Sequence, residues 1–127
     1  MGTRSTVKFY DKYKEEQVIC SIYHQYDGYI GGIGHELAKF INRKTIVNGY
    51  GLGMTNETHA NGIGCLAAQY IAESKTDIGG LYMTGIDDEQ EFNYQVRLID
   101  DKINIKIYDW ESKLIFDGTP DELLKVN

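Results

Sequence analysis

The feature that most constrains the fold is a strict alternation of apolar and polar residues late in the chain. Every second residue from Phe92 to Leu98 is apolar, and the pattern resumes from Ile103 to Tyr108 after an Asp-Asp-Lys turn. A period of two places all apolar side chains on one face of a strand. The two segments therefore predict an antiparallel hairpin whose apolar face meets helices. Amides, two cations and an aromatic ring occupy the other face, namely Asn93, Gln95, Arg97, Asn104, Lys106 and Tyr108.

The other segments complete an α+β pattern. Strands are predicted over residues 4–10 and 17–23, joined by a polar turn over residues 11–16. Apolar residues at helical spacing predict helices over residues 33–43 and from an N-cap at Asn61 to Ile71. Further strands are predicted over residues 81–84, 91–99, 103–109 and 113–116. A capping box from Thr119 to Glu122, with Pro120 at the first helical position, begins a short terminal helix.

This order predicts one α+β domain over residues 1–127, with a mostly antiparallel β-sheet, two packed helices and a short C-terminal helix. The net charge of −6 argues against long nucleic acid as the main partner, because a phosphate backbone needs many cationic contacts. The N-terminal residues show no apolar leader and no window is long enough to span a membrane, so we expect a cytoplasmic protein. Cys20 and Cys65 are then expected to be reduced and buried.

Residues 23–39, YHQYDGYIGGIGHELAK, combine tyrosines with glycines and open into a helix. Gly28, Gly31, Gly32 and Gly34 are expected to permit positive φ angles and close approach of another group. Backbone N–H groups at the start of a helix can bind an anion, and tyrosine rings can stack on a base. The stretch therefore fits a nucleotide-sized pocket. It fits a tight strand-to-helix connection with packed tyrosines equally well.

Two short motifs are only weak evidence for a cofactor or metal site. The segment from Gly62 to Ala67 matches G-x-G-x-x-A, but no apolar strand precedes it and no βαβ unit follows, so a dinucleotide site is disfavoured. The pair His35-Glu36 begins like a zinc-protease helix, but Lys39 stands where the second histidine is required. We therefore expect neither a metal nor a cofactor.

Taken together, the residues resemble a known family. The Arg4-Ser5-Thr6 strand, the turn from Tyr26 to Tyr29, the Gly34-x-Glu36-Leu37 helix start and the closing hairpins are similar to the anti-Thoeris phage sponge proteins of the first type. The resemblance covers essentially the whole chain. It implies a non-catalytic protein, active in the host cell cytosol, that sequesters cyclic ADP-ribose isomers made by bacterial TIR-domain immune enzymes. It also implies a homo-oligomer built from dimers, with separate sites for cyclic oligonucleotides.

A ligand of this kind needs an aromatic or guanidinium platform, amides for its ribose hydroxyls and about two cations or helix N–H groups. The residues predicted around the base and riboses are Tyr82, Phe92, Asn93, Arg97 and Tyr108. A second set, possible at an oligomer-level site for phosphates, comprises Arg4, Ser5, Tyr26, His35 and the backbone of residues 31–34. Arg97 is expected to be exposed, and the glycine-rich loop at residues 48–53 to close over the sheet as a lid.

Two other functions remain open at this point. A small phosphoesterase or hydrolase acting on a nucleotide could use acids and bases and a cation that holds the substrate's charge. The acid–base candidates are His24, His35, Asp27 and Glu36, and the cation is Arg4 or Arg97. A structural phage component could use the tyrosines at interfaces between subunits. The polar face of the late hairpin also fits a plain solvated sheet face.

Overall fold

The structure is a computed structural model that describes residues 2–127. Its strands are β1 (Ser5–Tyr13), β2 (Glu15–His24), β3 (Thr45–Val47), β4 (His59–Asn61), β5 (Leu81–Met83), β6 (Phe92–Ile99), β7 (Lys102–Asp109) and β8 (Leu114–Gly118). Its helices are α1 (His35–Asn42), α2 (Gly62–Ser74) and α3 (Pro120–Leu124), and a π-helical turn over Ile30–Gly34 leads into α1.

A six-stranded sheet in the order β5-β2-β1-β6-β7-β8 forms the centre of the molecule. Neighbouring strands are antiparallel except β1 and β6, which are parallel. The expected α+β class, with a mostly antiparallel sheet, two packed helices and a short C-terminal helix, is confirmed. No helix within residues 2–127 is both long and apolar enough to cross a membrane.

The alternating segments form the hairpin β6–β7 as predicted. Tyr94 pairs with Ile107 on one side and with Val7 of β1 on the other, and all three are fully buried on the helix side. Helix α2 packs on β1 and β2, while α3 packs on α1 and β7. The capping box is also present, since Glu122 N–H donates to Thr119 Oγ1 and Thr119 N–H donates to Glu122 Oε1.

The N-terminal hairpin is longer than predicted. Residues 11–16, expected to be a turn, continue both strands, and only Lys14 at the tip has a positive φ of 71°. Residues 11–16, named the ribbon, are all exposed, so neither of its faces is buried. The sequence pattern therefore carries no period-two signal there, although the backbone ladder continues.

The short parallel pair β3–β4 was not predicted, because three-residue strands are too short to show a period. Asn61 occupies the N-cap position of α2 as expected, but its side chain makes no capping hydrogen bond. Its Oδ1 atom instead accepts a hydrogen bond from Gly49 N–H at 2.7 Å. The predicted position of the N-cap is therefore confirmed, but the Asn61 side chain binds the loop at Gly49 and not the helix backbone.

Residues 84–91, named the strap here, join β5 to β6 across the sheet face opposite the helices. Lys8 Nζ donates to the Asp88 carbonyl at 2.6 Å, and Ser21 Oγ donates to the Gly85 carbonyl at 3.1 Å. Lys8 is 4% exposed even though it lies on the polar face. The strap therefore covers the middle of that face, which is not a simply solvated surface.

Candidate functional site

A large concavity lies between α1, α2 and the segment that connects α2 to β5. We name it the α1–α2 groove, and its volume is about 700 Å³. Its lining consists of His24, Tyr26, Ile33, Glu36, Lys39, Phe40, Arg43, Tyr70, Glu73, Ser74, Thr76, Asp77, Gly79, Gly80 and Leu81. Cavities of about 300–1,000 Å³ hold small-molecule ligands in proteins, so the groove is large enough for a nucleotide.

Two buried polar side chains form the floor of the groove. His24 Nε2 and the Tyr70 hydroxyl lie 2.9 Å apart in a hydrogen bond, and the two residues are 6% and 2% exposed. Burial lowers the pKa of His24 to about 4, because the charged imidazolium would lose its hydration. Burial also raises the pKa of Tyr70. Both groups are therefore neutral near pH 7.

Aromatic and aliphatic side chains enclose this pair. The rings of Phe40 and Tyr70 meet edge-on with centroids 5.4 Å apart, and Phe40 is 3% exposed. Ile33 and Leu81 are buried beside them. Tyr26 stands at the mouth and is largely exposed. The inner part of the groove is therefore apolar apart from His24 and Tyr70.

Charged side chains lie at the rim. Lys39 and Arg43 line the α1 side, and Glu73 of α2 forms an ion pair with Arg43. The Arg43 guanidinium also lies 5.7 Å from the centroid of the Phe40 ring. Asp77 accepts a hydrogen bond from Gly79 N–H at 2.8 Å and so serves a turn. The groove thus has a neutral, buried floor and an exposed rim with both signs of charge.

The residues predicted from the sequence lie elsewhere. Asn93 is 5% exposed on the polar sheet face, where its Oδ1 accepts from Thr6 Oγ1 and from Gln90 N–H, both at 2.8 Å. Its Nδ2 donates to the Gln90 carbonyl at 2.8 Å. These bonds hold the end of the strap in place, so the amide groups of Asn93 are engaged within the protein.

Arg97 is 9% exposed, so the expectation that it is an exposed charge is wrong. Its guanidinium stacks 4.3 Å from the centroid of the Tyr10 ring, donates to Gln95 Oε1 at 2.9 Å and lies 3.4 Å from Glu16 Oε1. Burial raises the pKa of Tyr10, and the charge of Arg97 opposes that rise. The long N-terminal hairpin supplies Tyr10 and Glu16, and no sequence pattern indicates that it reaches Arg97 on β6.

The three aromatic residues of the first set do not converge. Tyr82, on β5, and Tyr108, on β7, share one cross-strand row on the polar face, with β2, β1 and β6 between them. Four strand spacings separate the two residues by about 19 Å. Phe92 is adjacent to Asn93 in sequence and therefore points to the helix side. One compact ligand cannot touch all three on a single chain.

The second set is also dispersed. Arg4 and Tyr26 line a separate cavity of about 570 Å³, and Tyr26 alone also lines the α1–α2 groove. Ser5 is fully buried against Gly28. His35 Nε2 lies 2.6 Å from the Val126 carbonyl and tethers the C-terminus. Ligand binding by either set remains a prediction.

Backbone N–H groups of the glycine-rich segment are also hydrogen-bonded within the protein. The N–H groups of Gly32 and Gly34 donate to the Tyr29 carbonyl, and Ile33 N–H donates to the Asp27 carbonyl. Among the glycines at 28, 31, 32 and 34 none has a positive φ, and Asp27 takes that conformation with a φ of 59°. The expected positive φ is therefore wrong. The expected close approach is confirmed at Gly28, Gly32 and Gly34 and is wrong at Gly31, where a Cβ atom would lie 3.7 Å from the Tyr29 ring.

The predicted lid lies beside a different cavity. Tyr50, from the loop at residues 48–53, lines a cavity of about 300 Å³ together with His59, Cys65 and the start of α2. It lines neither the α1–α2 groove nor the polar sheet face. Cys20 and Cys65 are free thiols and are half-buried. Within residues 2–127 no group of three or more His, Cys, Asp or Glu side chains is arranged to hold a metal ion.

Only three side chains of the groove are identified from the sequence, namely Tyr26 as a binding residue and His24 and Glu36 as acid–base groups. A signal was present, because Glu36, Lys39 and Arg43 repeat at helical spacing and would share one face of α1. Tyr70 and Glu73 repeat in the same way near the end of α2, and Asp77 lies beyond that helix. What the sequence lacked was the pairing of these two faces. No protein-family model, curated protein or solved structure matches the chain.

Proposed function

We propose that this protein is a non-catalytic binding protein that sequesters a small cyclic nucleotide of the cyclic ADP-ribose type, so that the signal does not reach its effector. The proposal includes action in the host cell cytosol against signals made by bacterial TIR-domain enzymes. It also includes a homo-oligomer built from dimers, with separate sites for cyclic oligonucleotides. The observation that carries the proposal is the α1–α2 groove, and the sequence resemblance supplies the ligand class.

The size and lining of the groove support a ligand with a flat apolar part and a charged part. About 700 Å³ is sufficient for one base, two riboses and a pyrophosphate. Phe40 and Tyr70 offer aromatic surface inside, and Tyr26 stands at the mouth. An apolar interior with polar groups that can fix a ligand's orientation is typical of small-molecule sites.

The rim can bind phosphate through Lys39 and Arg43. Arg43 is paired with Glu73, and both side chains are about half exposed. An exposed ion pair contributes only about 0–1 kcal/mol, so a pyrophosphate can replace the Glu73 carboxylate at the guanidinium. A planar guanidinium binds two phosphate oxygens at once, which favours that exchange.

The positions of the histidines favour binding over hydrolysis. His24 is hydrogen-bonded to the Tyr70 hydroxyl, and His35 is hydrogen-bonded to the Val126 carbonyl. A histidine acting as a general base is usually oriented by a carboxylate, and neither bond supplies one. The hydrolase hypothesis is therefore kept as an outcome of the test below.

The deciding experiment is a capture-and-release assay. The protein is incubated with a cyclic ADP-ribose isomer, the free ligand is measured, and the mixture is then denatured by heat and measured again. We expect the ligand to disappear and to return intact. Conversion to a product would replace the proposal with the hydrolase hypothesis. No loss at any protein-to-ligand ratio would favour the structural phage component.

Two substitutions at the rim test the location of the site. Arg43→Gln should weaken capture about tenfold, because it removes a charge-assisted hydrogen bond to phosphate. Glu73→Gln should strengthen capture, because it frees Arg43 from its carboxylate partner. Lys102→Gln, an exposed cation outside the groove, serves as the matched control and should leave the affinity unchanged. Titration calorimetry measures all three, and equal affinities in Arg43→Gln and Lys102→Gln would exclude the groove.

A further inference from the structure

His24 has one ring nitrogen that the protein itself does not use. Its Nε2 atom is bonded to the Tyr70 hydroxyl, while its Nδ1 atom makes no hydrogen bond within residues 2–127. The side chain is 6% exposed and lines the floor of the α1–α2 groove. Nδ1 is not among the polar atoms that are fully sealed from solvent. A largely buried histidine that lines the groove therefore has one nitrogen that is unused and still in contact with solvent.

The floor does not suit an anion. Burial keeps His24 neutral near neutral pH, and the Tyr70 hydroxyl is neutral there too. An anion placed beside two uncharged groups in an apolar enclosure would lose its hydration without gaining a counter-charge. A neutral imidazole can donate or accept one hydrogen bond at Nδ1, so its natural partner is an uncharged polar edge.

Burial also divides the groove by depth. Phe40, Tyr70, Ile33 and Leu81 are between 2% and 6% exposed, whereas Arg43 and Glu73 are about half exposed at the rim. This division by depth favours one direction of binding for a ligand with an aromatic end and an anionic end. Its ring enters the apolar interior and its charges stay where Lys39 and Arg43 lie.

We propose that the His24 Nδ1 atom hydrogen-bonds the edge of a neutral heteroaromatic base, such as a purine, and so orients the ligand base-inward and phosphate-outward in the groove. This inference rests on the proposed function and deepens it. It assigns His24 the role of a specificity-determining residue and Tyr70 the role of a positioning residue that fixes the imidazole through Nε2. The ligand class is thereby narrowed to molecules that carry both a heteroaromatic ring and a phosphate.

Two substitutions separate the nitrogens of His24. Glutamine places an amide close to the position of Nε2, so His24→Gln can keep the bond to Tyr70 and lacks a polar atom at Nδ1. Asparagine places its amide close to Nδ1, so His24→Asn retains the proposed contact with the base. We expect His24→Gln to bind adenosine monophosphate about tenfold more weakly than the wild type, and His24→Asn to lie between them. Affinity for ribose 5-phosphate, which has no base, should be equal in all three proteins.

Nitrogen NMR on the wild-type protein provides a readout that a merely structural role would not change. With ¹⁵N-labelled histidine, adenosine monophosphate should shift the His24 Nδ1 resonance more than the Nε2 resonance, and ribose 5-phosphate should shift neither. This arm remains decisive if a variant fails to fold. Capture of cyclic ADP-ribose without a change at Nδ1, and with equal affinity in His24→Gln, would overturn this inference and leave the proposed function standing. Absence of binding by every one of these probes would overturn both.

Discussion

Residues 28–34 and residues 49–53 are two glycine-rich segments with tyrosines, and they differ in what surrounds their glycines. In the first, a Cβ atom on Gly28 would lie 2.7 Å from Ser5 Cβ, and one on Gly32 would lie 2.3 Å from the Asp27 carbonyl oxygen. In the second, a Cβ atom on Gly49, Gly51 or Gly53 would meet nothing within 4 Å. The first segment needs glycine for close packing, whereas the second has glycine beside open space.

Glycine content alone therefore does not identify a ligand-binding loop. The first segment, named the packed segment, fixes the start of α1, and α1 supplies one wall of the groove. The second, named the open loop, borders only the smaller cavity near His59. The packed segment, whose sequence more strongly suggested a ligand pocket, therefore contributes by holding the start of α1 rigidly in place. If the two segments differ in this way, substitutions that disturb the packed segment should destabilise the protein, and matched substitutions in the open loop should not.

Gly32→Ala should cost about 3 kcal/mol of unfolding free energy or more. The new Cβ atom would overlap the Asp27 carbonyl oxygen, which belongs to the backbone and cannot rotate away. That carbonyl also accepts a hydrogen bond from Ile33 N–H at 2.8 Å, so moving it loses a second interaction. Urea unfolding measures the change. A loss under 0.5 kcal/mol, roughly that of a neutral surface substitution, would remove the distinction between the two segments.

His24, just before the packed segment, should make stability fall in mild acid. Its folded-state pKa is about 4 and the ordinary value is 6.5, so between these pH values the unfolded chain binds more protons. Stability from this group is complete above pH 6.5 and decreases as the pH falls towards 4, by about 3 kcal/mol in all. The measurement is urea unfolding of the wild type and His24→Gln at several pH values. Parallel pH profiles for the two proteins would contradict it.

Tyr94→Phe should cost about 2 kcal/mol. The Tyr94 hydroxyl donates to the Gly28 carbonyl at 2.7 Å, and both groups are buried, so the substitution leaves a buried acceptor without its partner. Tyr50→Phe in the open loop is the matched control, because Tyr50 is 78% exposed. Its expected effect is within about 0.5 kcal/mol. Thermal unfolding of both variants decides, and equal effects would show that the packed segment depends little on this bond.

Gly51→Ala should stabilise the protein by about 0.5 kcal/mol. Gly51 has open space at its Cβ position and does not take a positive φ, so alanine introduces no clash and reduces the freedom of the unfolded chain. The expected change in the free energy of unfolding is opposite in sign to that expected for Gly32→Ala, and urea unfolding measures it. Destabilisation by more than about 1 kcal/mol would show that the open loop is also tightly packed.

The sequence predicted the sheet well wherever one strand face is apolar. The alternation from Phe92 to Leu98 placed β6 and β7 within one or two residues, and the capping box placed α3. The prediction of strands failed where neither face is buried, as in the ribbon beyond Tyr10. It also failed where the strands are short, as in β3 and β4. A periodic pattern arises only from burial of one face, so a strand without that burial gives no signal.

The candidate site was less predictable than the fold. Residue chemistry favoured Asn93 and Arg97, and both occur on the polar sheet face as expected, yet both are already bonded within the protein. Thr6, which donates to Asn93, and Tyr10, which stacks on Arg97, are distant from them in sequence. Glu16, which pairs with Arg97, lies in a segment expected to be a turn. Helical spacing alone cannot tell which two helix faces will border a groove.

By itself, the sequence determined the α+β class, the faces of β6 and β7, and the start of α3. Each of these depends on residues close together in the chain, whose burial pattern or capping chemistry is local. The tertiary structure alone decided that the glycines of the packed segment serve contact, that the strap covers Lys8, and that His24 and Tyr70 meet on the floor of a groove. Those outcomes depend on which distant surfaces pack together, and residue order along one segment does not encode that choice locally.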